Sequence, residues 1–230
     1  MMPGFQKGAV LLVALLVLVL GSLYFLLVSA NDRQRFRDTA PAMRHLQRIR
    51  DALVGHALET GCLPCPATSA TSGTAPGSCA TAASRFGFVP WQTLGVLATD
   101  PWGGLVRYRV TGRYATGDCS FTASSTGDAI VMTRDAGGNL QTIDATAPFV
   151  LLSHGPGREG AVLVSGAALP PPDAGRPDER TNLLDRDRFV TRPWTEDAGA
   201  PGGPFDDAIL WIGTAELCRL LATRKGWSCP

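Results

Sequence analysis

The feature that most constrains this chain is an uncharged apolar stretch near its N-terminus, AVLLVALLVLVLGSLYFLLVSA, over residues 9–30. A secretory h-region has about 7–15 residues, whereas a helix that crosses a bilayer needs about 20. The stretch has 22 residues. Its length therefore predicts a transmembrane helix over 9–30 rather than a cleaved signal peptide.

The helical pattern continues after this stretch, over residues 31–61. Apolar residues recur there at three- and four-residue spacing, which is typical of an amphipathic helix. They are Phe36, Met43, Leu46, Ile49, Leu53 and Ala57. Pro41 either kinks the helix or begins a new one, with Asp38 or Thr39 as its cap. Gly61 is expected to end it, and His45 and His56 on it are expected to be partly solvated.

The remaining residues, 62–230, predict one globular, β-rich domain. The chain has 26 Gly and 17 Pro, which favours turns and loops. Apolar or alternating runs predict strands near 106–110, 147–155 and 205–213, with a hairpin turn at 135–138. Residues 169–204 are rich in Pro, Asp, Gly and Arg and predict a long loop excursion.

Six cysteines indicate the compartment in which this domain folds. They are Cys62, Cys65, Cys79, Cys119, Cys218 and Cys229. An even number in a loop-rich domain is typical of disulfides in an oxidising space, here the periplasm or the cell exterior. Six cysteines allow 15 connectivities. We favour Cys65–Cys79 and Cys218–Cys229, with Cys62–Cys119 as the remaining pair.

The charge distribution partly opposes this placement. Arginines cluster just after the apolar stretch, whereas Lys7 and the α-amino group precede it. The positive-inside rule would place the arginine-rich side in the cytoplasm. We give the cysteines more weight and predict a periplasmic domain. The net charge is +1 and no basic run stands out, so no nucleic-acid partner is expected.

Two short motifs have a chemical and a structural interpretation. The CLPC sequence over 62–65 is a C-x-x-C, but it follows a helix, and zinc would require a second ligand pair; we predict structural disulfides. The GPGREG sequence over 155–160 satisfies G-x-G-x-x-G. It lacks a surrounding βαβ unit and contains Pro156, so we predict a glycine-rich turn rather than a nucleotide site.

No catalytic residue and no cofactor is predicted. Ser153 and His154 are adjacent, but neighbouring strand residues point to opposite faces, and no G-x-S-x-G elbow is present. Asp206 and Asp207 are candidate Ca²⁺ ligands, as are the carboxylates around Asp185 and Asp187. Because no EF-hand spacing accompanies them, the alternative is that they are loop and strand-edge carboxylates.

The N-terminus resembles that of type IV prepilin-like proteins, which include pilins, minor pilins and the pseudopilins of type II secretion. A short basic leader ends in Gly, and an unbroken apolar helix follows, as in QKG followed by AVLLVALL. The resemblance implies peptidase cleavage at Gly8–Ala9, with Gly4–Phe5 as the alternative. The blocks LPCPA, FVPWQTLGV, DPWGGLVRYRV, FVLLSHGPGREGA and FDDAILWI occur in an order similar to that of poorly characterised prepilin-like proteins.

This resemblance implies a pilin-like α+β fold. A long N-terminal transmembrane-plus-amphipathic helix would pack on a small antiparallel β-sheet with disulfide-containing loops. The implied organisation is a leader at 1–8, an assembly helix at 9–30, an amphipathic helix at 31–61 and a periplasmic domain at 62–230. Cleavage would expose a new amine on Ala9, a site of methylation in this family.

The implied function is a non-enzymatic subunit of a type IV pilus or a type II secretion pseudopilus. Major pilins carry Glu at mature position five, which here is Val13, or Ala9 if cleavage follows Gly4. The chain therefore resembles a minor subunit. Its implied partners are other pilin or pseudopilin subunits, the prepilin peptidase and inner-membrane lipid, with a single-pass inner-membrane or extracellular filament location. The alternative is a membrane-anchored periplasmic enzyme or ligand-binding domain that keeps residues 1–8.

Overall fold

The computed structural model describes residues 4–115, 117, 119, 121–122 and 124–222 of the 230-residue chain, and side chains of the first helix at 12–22 and from 40 onward. The helices are α1 (Gly4–Thr60), α2 (Trp91–Leu94), α3 (Pro177–Leu184) and α4 (Thr214–Leu221). The strands are β1 (Phe86–Phe88), β2 (Arg107–Val110), β3 (Ala129–Arg134), β4 (Leu140–Ala147), β5 (Phe149–Ser153), β6 (Arg188–Val190) and β7 (Ala208–Ile212). Two 3-10 turns cover Ala82–Arg85 and Gly112–Tyr114.

The chain divides into two compact units between Ala40 and Pro41. Helix α1 includes Pro41 in its interior, so no separate helix begins at Asp38 or Thr39. In the part of the chain that the structure describes, no helix has an apolar run long enough to cross a bilayer. The predicted pilin-like fold with a spanning helix over 9–30 is therefore wrong. The predicted single-pass inner-membrane location is wrong for the same reason, since both require about 20 apolar residues in one helix.

The unit that begins at Pro41 is an α+β domain with two sheets. The first has the order β1-β2-β5-β7, and all its pairs are antiparallel. The second has the order β4-β3-β6, in which β3 and β4 form an antiparallel hairpin and β3 pairs with β6 in parallel. The predicted loop excursion 169–204 contains α3 and β6, so part of it is regular structure.

Strand β5 lies at the centre of the first sheet, and all five of its residues are buried. Its side chains alternate between two apolar clusters, because successive strand residues point to opposite faces. Phe149 and Leu151 belong to one cluster, whereas Val150 and Leu152 belong to the other. This double burial explains the uninterrupted apolar run FVLL.

The C-terminal part of α1 covers one face of the first sheet. Leu46, Ile49 and Leu53, at helical spacing, are fully buried and share a cluster with Phe149 and Leu151. Helix ends leave backbone carbonyls without intrahelical partners. Here the N–H of Gly61 donates to the carbonyl of Ala57 at 2.9 Å, with Gly61 at φ +93°.

Two disulfides pin the loops around this core. They join Cys62 to Cys119 and Cys65 to Cys79. Cys65–Cys79 is one of the two favoured pairs, and Cys62–Cys119 is the pair that remained. Cys218 is also disulfide-bonded, and its predicted partner Cys229 lies outside the described residues. Disulfides indicate a chain that folds in an oxidising compartment.

The buried face of α1 allows a direct test of the core. We expect Ile49→Val to lower the free energy of unfolding by about 0.5–1.5 kcal/mol, because it removes one methylene from a fully buried position. Ile143→Val makes the same change on the exposed face of β4 and should alter that free energy by less than about 0.5 kcal/mol. Urea unfolding of the two variants measures the difference, and equal effects would contradict the described packing.

Candidate functional site

Three buried carboxylates come together where α3 meets the beginning of β7. Glu179 lies in the first turn of α3, and Asp206 and Asp207 immediately precede β7. One oxygen of each carboxylate lies within 4.8 Å of one oxygen of the others. We call these three residues the acidic cluster. It unites the predicted ligands Asp206 and Asp207 with Glu179, a residue that the sequence analysis missed.

Hydrogen bonds from outside the cluster orient each carboxylate. The N–H of Gly157 donates to Asp206 Oδ2, and Asn182 Nδ2 donates to Asp207 Oδ2, both at 2.8 Å. Arg176 donates to both oxygens of Glu179 at 3.1 and 3.2 Å. Within the cluster, the N–H of Asp206 also donates to Glu179 Oε1 at 2.8 Å. Within the described residues, Oδ1 of both aspartates receives no hydrogen bond. These two oxygens therefore remain available to a further ligand.

The acidic cluster contains more negative charge than its protein neighbours balance. Burial, followed by the charges of Glu179 and Asp207, raises the pKa of Asp206 to about 7. Burial and the charge of Asp207 also raise the pKa of Glu179. Arg176 contacts Glu179 at 3.1 Å and is the only arginine or lysine among the described residues to do so. Buried like charges favour a proton or a cation at such a site.

His154 follows β5 and completes the surroundings of the cluster. Its side chain is 1% exposed, and its Nδ1 lies 3.5 Å from Asp207 Oδ1. Neither ring nitrogen has a hydrogen-bond partner among the described residues. A buried donor or acceptor that lacks a hydrogen bond costs about 1–3 kcal/mol. Binding of a ligand to a ring nitrogen of His154 would remove part of this cost.

The neighbouring Ser153 belongs to a different group of side chains. Its Oγ donates to Asp100 Oδ2 at 2.6 Å. Asp100 also accepts the N–H groups of Trp102 and Gly104 through Oδ1. Ser153 is thus engaged with a loop carboxylate, and His154 faces Asp207. The two residues make no hydrogen bond to each other, as expected for adjacent strand positions.

The GPGREG sequence forms the turn beside the acidic cluster. Gly155 has φ +57°, and a Cβ at this position would collide with the backbone oxygen and Oδ1 of Asp206. Gly157 supplies the N–H that binds Asp206 Oδ2. A phosphate at this turn would be repelled by the acidic cluster. The glycines here allow the turn to approach a carboxylate.

The other predicted Ca²⁺ ligands lie apart from the cluster. Asp185 Oδ1 accepts the N–H groups of Asp187 and Arg188 and closes the turn after α3. Asp187 forms an ion pair with Arg109 at 2.8 Å. Both carboxylates therefore have structural partners. Among the described residues, neither aspartate belongs to the acidic cluster.

A second concave surface lies beside the buried part of α1. Its volume is about 320 Å³, and it is lined by Pro41, Arg44, His45, Arg48, Leu97, Thr99, Asp100 and Pro101. His45 is buried rather than partly solvated, and burial lowers its pKa. His56 is half-buried. The two exposed arginines give this groove a positive rim.

The predicted cleavage positions Gly4, Phe5, Gly8 and Ala9 fall within α1, and their side chains lie outside the described part of the chain. The comparisons with known proteins identify no relative. No family model matches the sequence, and no curated protein and no solved structure is significantly similar to it.

Proposed function

We propose that this chain is a non-enzymatic, minor prepilin-like subunit that a prepilin peptidase cuts after Gly8 and that then assembles with like subunits of a pilus or pseudopilus. The observation that carries the proposal is the exposed apolar surface of α1. Its described side chains from Leu12 to Leu20 include eight large hydrophobic residues that are 54–71% exposed.

Such a surface requires a partner. A helix that is apolar on all sides is normally buried, and a contiguous exposed apolar patch marks an interaction site. Copies of the same helix supply matching leucine and valine side chains. Each copy would bury its apolar surface against its neighbours.

The minor role is supported by the residue at mature position five. Cleavage after Gly8 makes this residue Val13, whose side chain is exposed and apolar. A carboxylate in an apolar helix bundle is costly unless a neighbouring charge pairs with it. Val13 adds apolar surface and supplies no such charge. This fits a subunit whose position along the helix bundle is not set by a charge pair with its neighbour.

Cleavage is the first measurable consequence of the proposal. We expect co-expression with a prepilin peptidase to shorten the chain by residues 1–8, as measured by intact mass. Gly8→Val should block this shortening, because the peptidase requires a glycine before the scissile bond in the proposed family. Gly4→Val is the matched control and should be cut normally.

Two other outcomes are informative. Shortening by residues 1–4 that Gly4→Val alone abolishes would move the site to Gly4–Phe5 and leave the proposal of a processed subunit in place. A chain that keeps its full mass in the presence of active peptidase would overturn the proposal.

A further inference from the structure

We propose that Glu179, Asp206, Asp207 and His154 form a binding site for one divalent metal ion that accepts an imidazole nitrogen together with carboxylate oxygens, Zn²⁺ above all. The proposal goes beyond assembly and does not depend on it. It rests on the acidic cluster and, independently, on the buried imidazole that faces it without a hydrogen bond.

The distances suit ligands that share an ion. Zinc binds His nitrogen and carboxylate oxygen at about 2.0–2.2 Å, so two ligands in a tetrahedral arrangement lie about 3.3–3.6 Å apart. His154 Nδ1 and Asp207 Oδ1 are 3.5 Å apart, which is too long for a good hydrogen bond. The carboxylate oxygens of the cluster lie within 4.8 Å of one another.

The charge also suits a divalent ion. The three carboxylates face one guanidinium, that of Arg176, which contacts Glu179 at 3.1 Å and also Glu159 at 3.3 Å. The negative charge that Arg176 leaves unbalanced favours a cation at the cluster. Arg176 approaches through Glu179, on which it lies within 3.2 Å of both oxygens. Glu179, Asp206 and Asp207 supply the oxygen ligands of the proposed site, and His154 Nδ1 lies beside Asp207 Oδ1.

The surroundings orient these ligands. Gly157 and Asn182 each donate to Oδ2 of one aspartate, which leaves Asp207 Oδ1 beside His154 Nδ1. Such outer donors fix the orientation of metal ligands and commonly change affinity by about 10–100-fold when removed.

The imidazole sets the choice of metal. Ca²⁺ and Mg²⁺ prefer oxygen ligands throughout, whereas a neutral imidazole is a common ligand of Zn²⁺ and other transition metals. The site is thus expected to prefer Zn²⁺ to Ca²⁺. This preference separates it from a loop of aspartates that attracts calcium by charge alone.

The test is a titration of the full chain, with its disulfides intact and after treatment with EDTA and desalting. Isothermal titration calorimetry should give one Zn²⁺ per chain, and the unfolding temperature should rise on Zn²⁺ addition. His154→Gln and Asp207→Asn should each weaken Zn²⁺ binding by at least about tenfold. Ca²⁺ should bind at least about tenfold more weakly than Zn²⁺.

Matched variants control for adventitious sites. His56→Gln removes a half-buried imidazole on α1, and Glu196→Gln removes an exposed carboxylate; both should bind Zn²⁺ like the parent chain. If His154→Gln fails to fold, Asp207→Asn carries the same test. Absence of stoichiometric binding by the parent chain would overturn the proposal. Unchanged affinity in the folded cluster variants, or Ca²⁺ binding as tight as Zn²⁺ binding, would do the same.

Discussion

Replacing Cys62 and Cys119 together by alanine is expected to lower the free energy of unfolding by about 4 kcal/mol. This disulfide spans 57 residues of sequence and ties the segment after α1 to the segment after the Gly112–Tyr114 turn. In the chain-entropy account, the unfolded chain gains more freedom when a longer loop is released. Equilibrium unfolding in urea, without reductant, measures the change.

The second disulfide supplies the matched control. Cys65 and Cys79 are separated by 14 residues, so their joint replacement by alanine should cost about 3 kcal/mol. Cys65 and Cys79 are both buried. A larger loss for the Cys65 and Cys79 pair than for the Cys62 and Cys119 pair would contradict the loop-length explanation.

Asp178→Asn is expected to lower the free energy of unfolding by about 3–5 kcal/mol, because it breaks a buried ion-pair network. The Asp178 side chain is 2% exposed and receives three hydrogen bonds. Arg134 donates two of them at 2.7 and 2.8 Å, and Arg192 donates the third at 2.7 Å. The asparagine variant keeps the size of the side chain but leaves both guanidinium groups without a charged partner.

The close packing around Asp178 should prevent the neighbouring side chains of this variant from rearranging to compensate for the lost ion pairs. Gly202, at φ +88°, passes so close that a Cβ there would collide with Asp178 Oδ2. The Arg192 guanidinium lies over the Phe205 ring at 4.6 Å, which fixes it further. The network joins α3 to β3, so its loss should loosen the segment between α3 and β7.

Glu196→Gln is the control for Asp178→Asn, since it removes one negative charge from an exposed position in the same region. It should change the free energy of unfolding by less than about 0.5 kcal/mol. Thermal or urea unfolding compares the two variants. A double variant tests the pairing: Arg192→Gln should cost less in the Asp178→Asn background than in the parent chain. Additive losses would mean that Asp178 and Arg192 are not coupled.

The local periodicity of the sequence predicted which face of α1 is buried. Leu46, Ile49 and Leu53 recur at helical spacing, and each is fully buried. The prediction worked here because the signal lies within a few turns of one helix and has one physical cause, the burial of an apolar stripe. The apolar run FVLL likewise predicted the buried strand β5, because side chains on both faces of this strand are buried.

The periodicity could not predict α3 or its role. Its three buried residues are Asp178, Glu179 and Asn182, so no apolar stripe marks the helix. The burial of these side chains is tolerated because they form ion pairs and hydrogen bonds with residues distant in sequence, such as Arg134 and Asp207. The sequence pattern of this segment therefore predicted a loop excursion, and nothing in it marked Glu179 as a neighbour of Asp206 and Asp207.

Length and composition also led to the wrong expectation of a membrane-spanning helix over 9–30. The prediction rested on counting apolar residues, and no helix in the described part of the chain meets the requirement of a bilayer. The disulfide pairs were one choice among 15 possible connectivities, and their partners come within 5.7 Å between Cα atoms only through the folding of loops.

By itself, the sequence determined the features whose physical cause is local: the apolar face of α1, the buried β5 and the glycine-rich turn at 155–160. The tertiary structure alone decided that this turn, α3 and the start of β7 surround one acidic cluster, with His154 directed at it. Carboxylates and an imidazole can be buried together only when partners from several elements share their charge, and those partners are not neighbours in the chain.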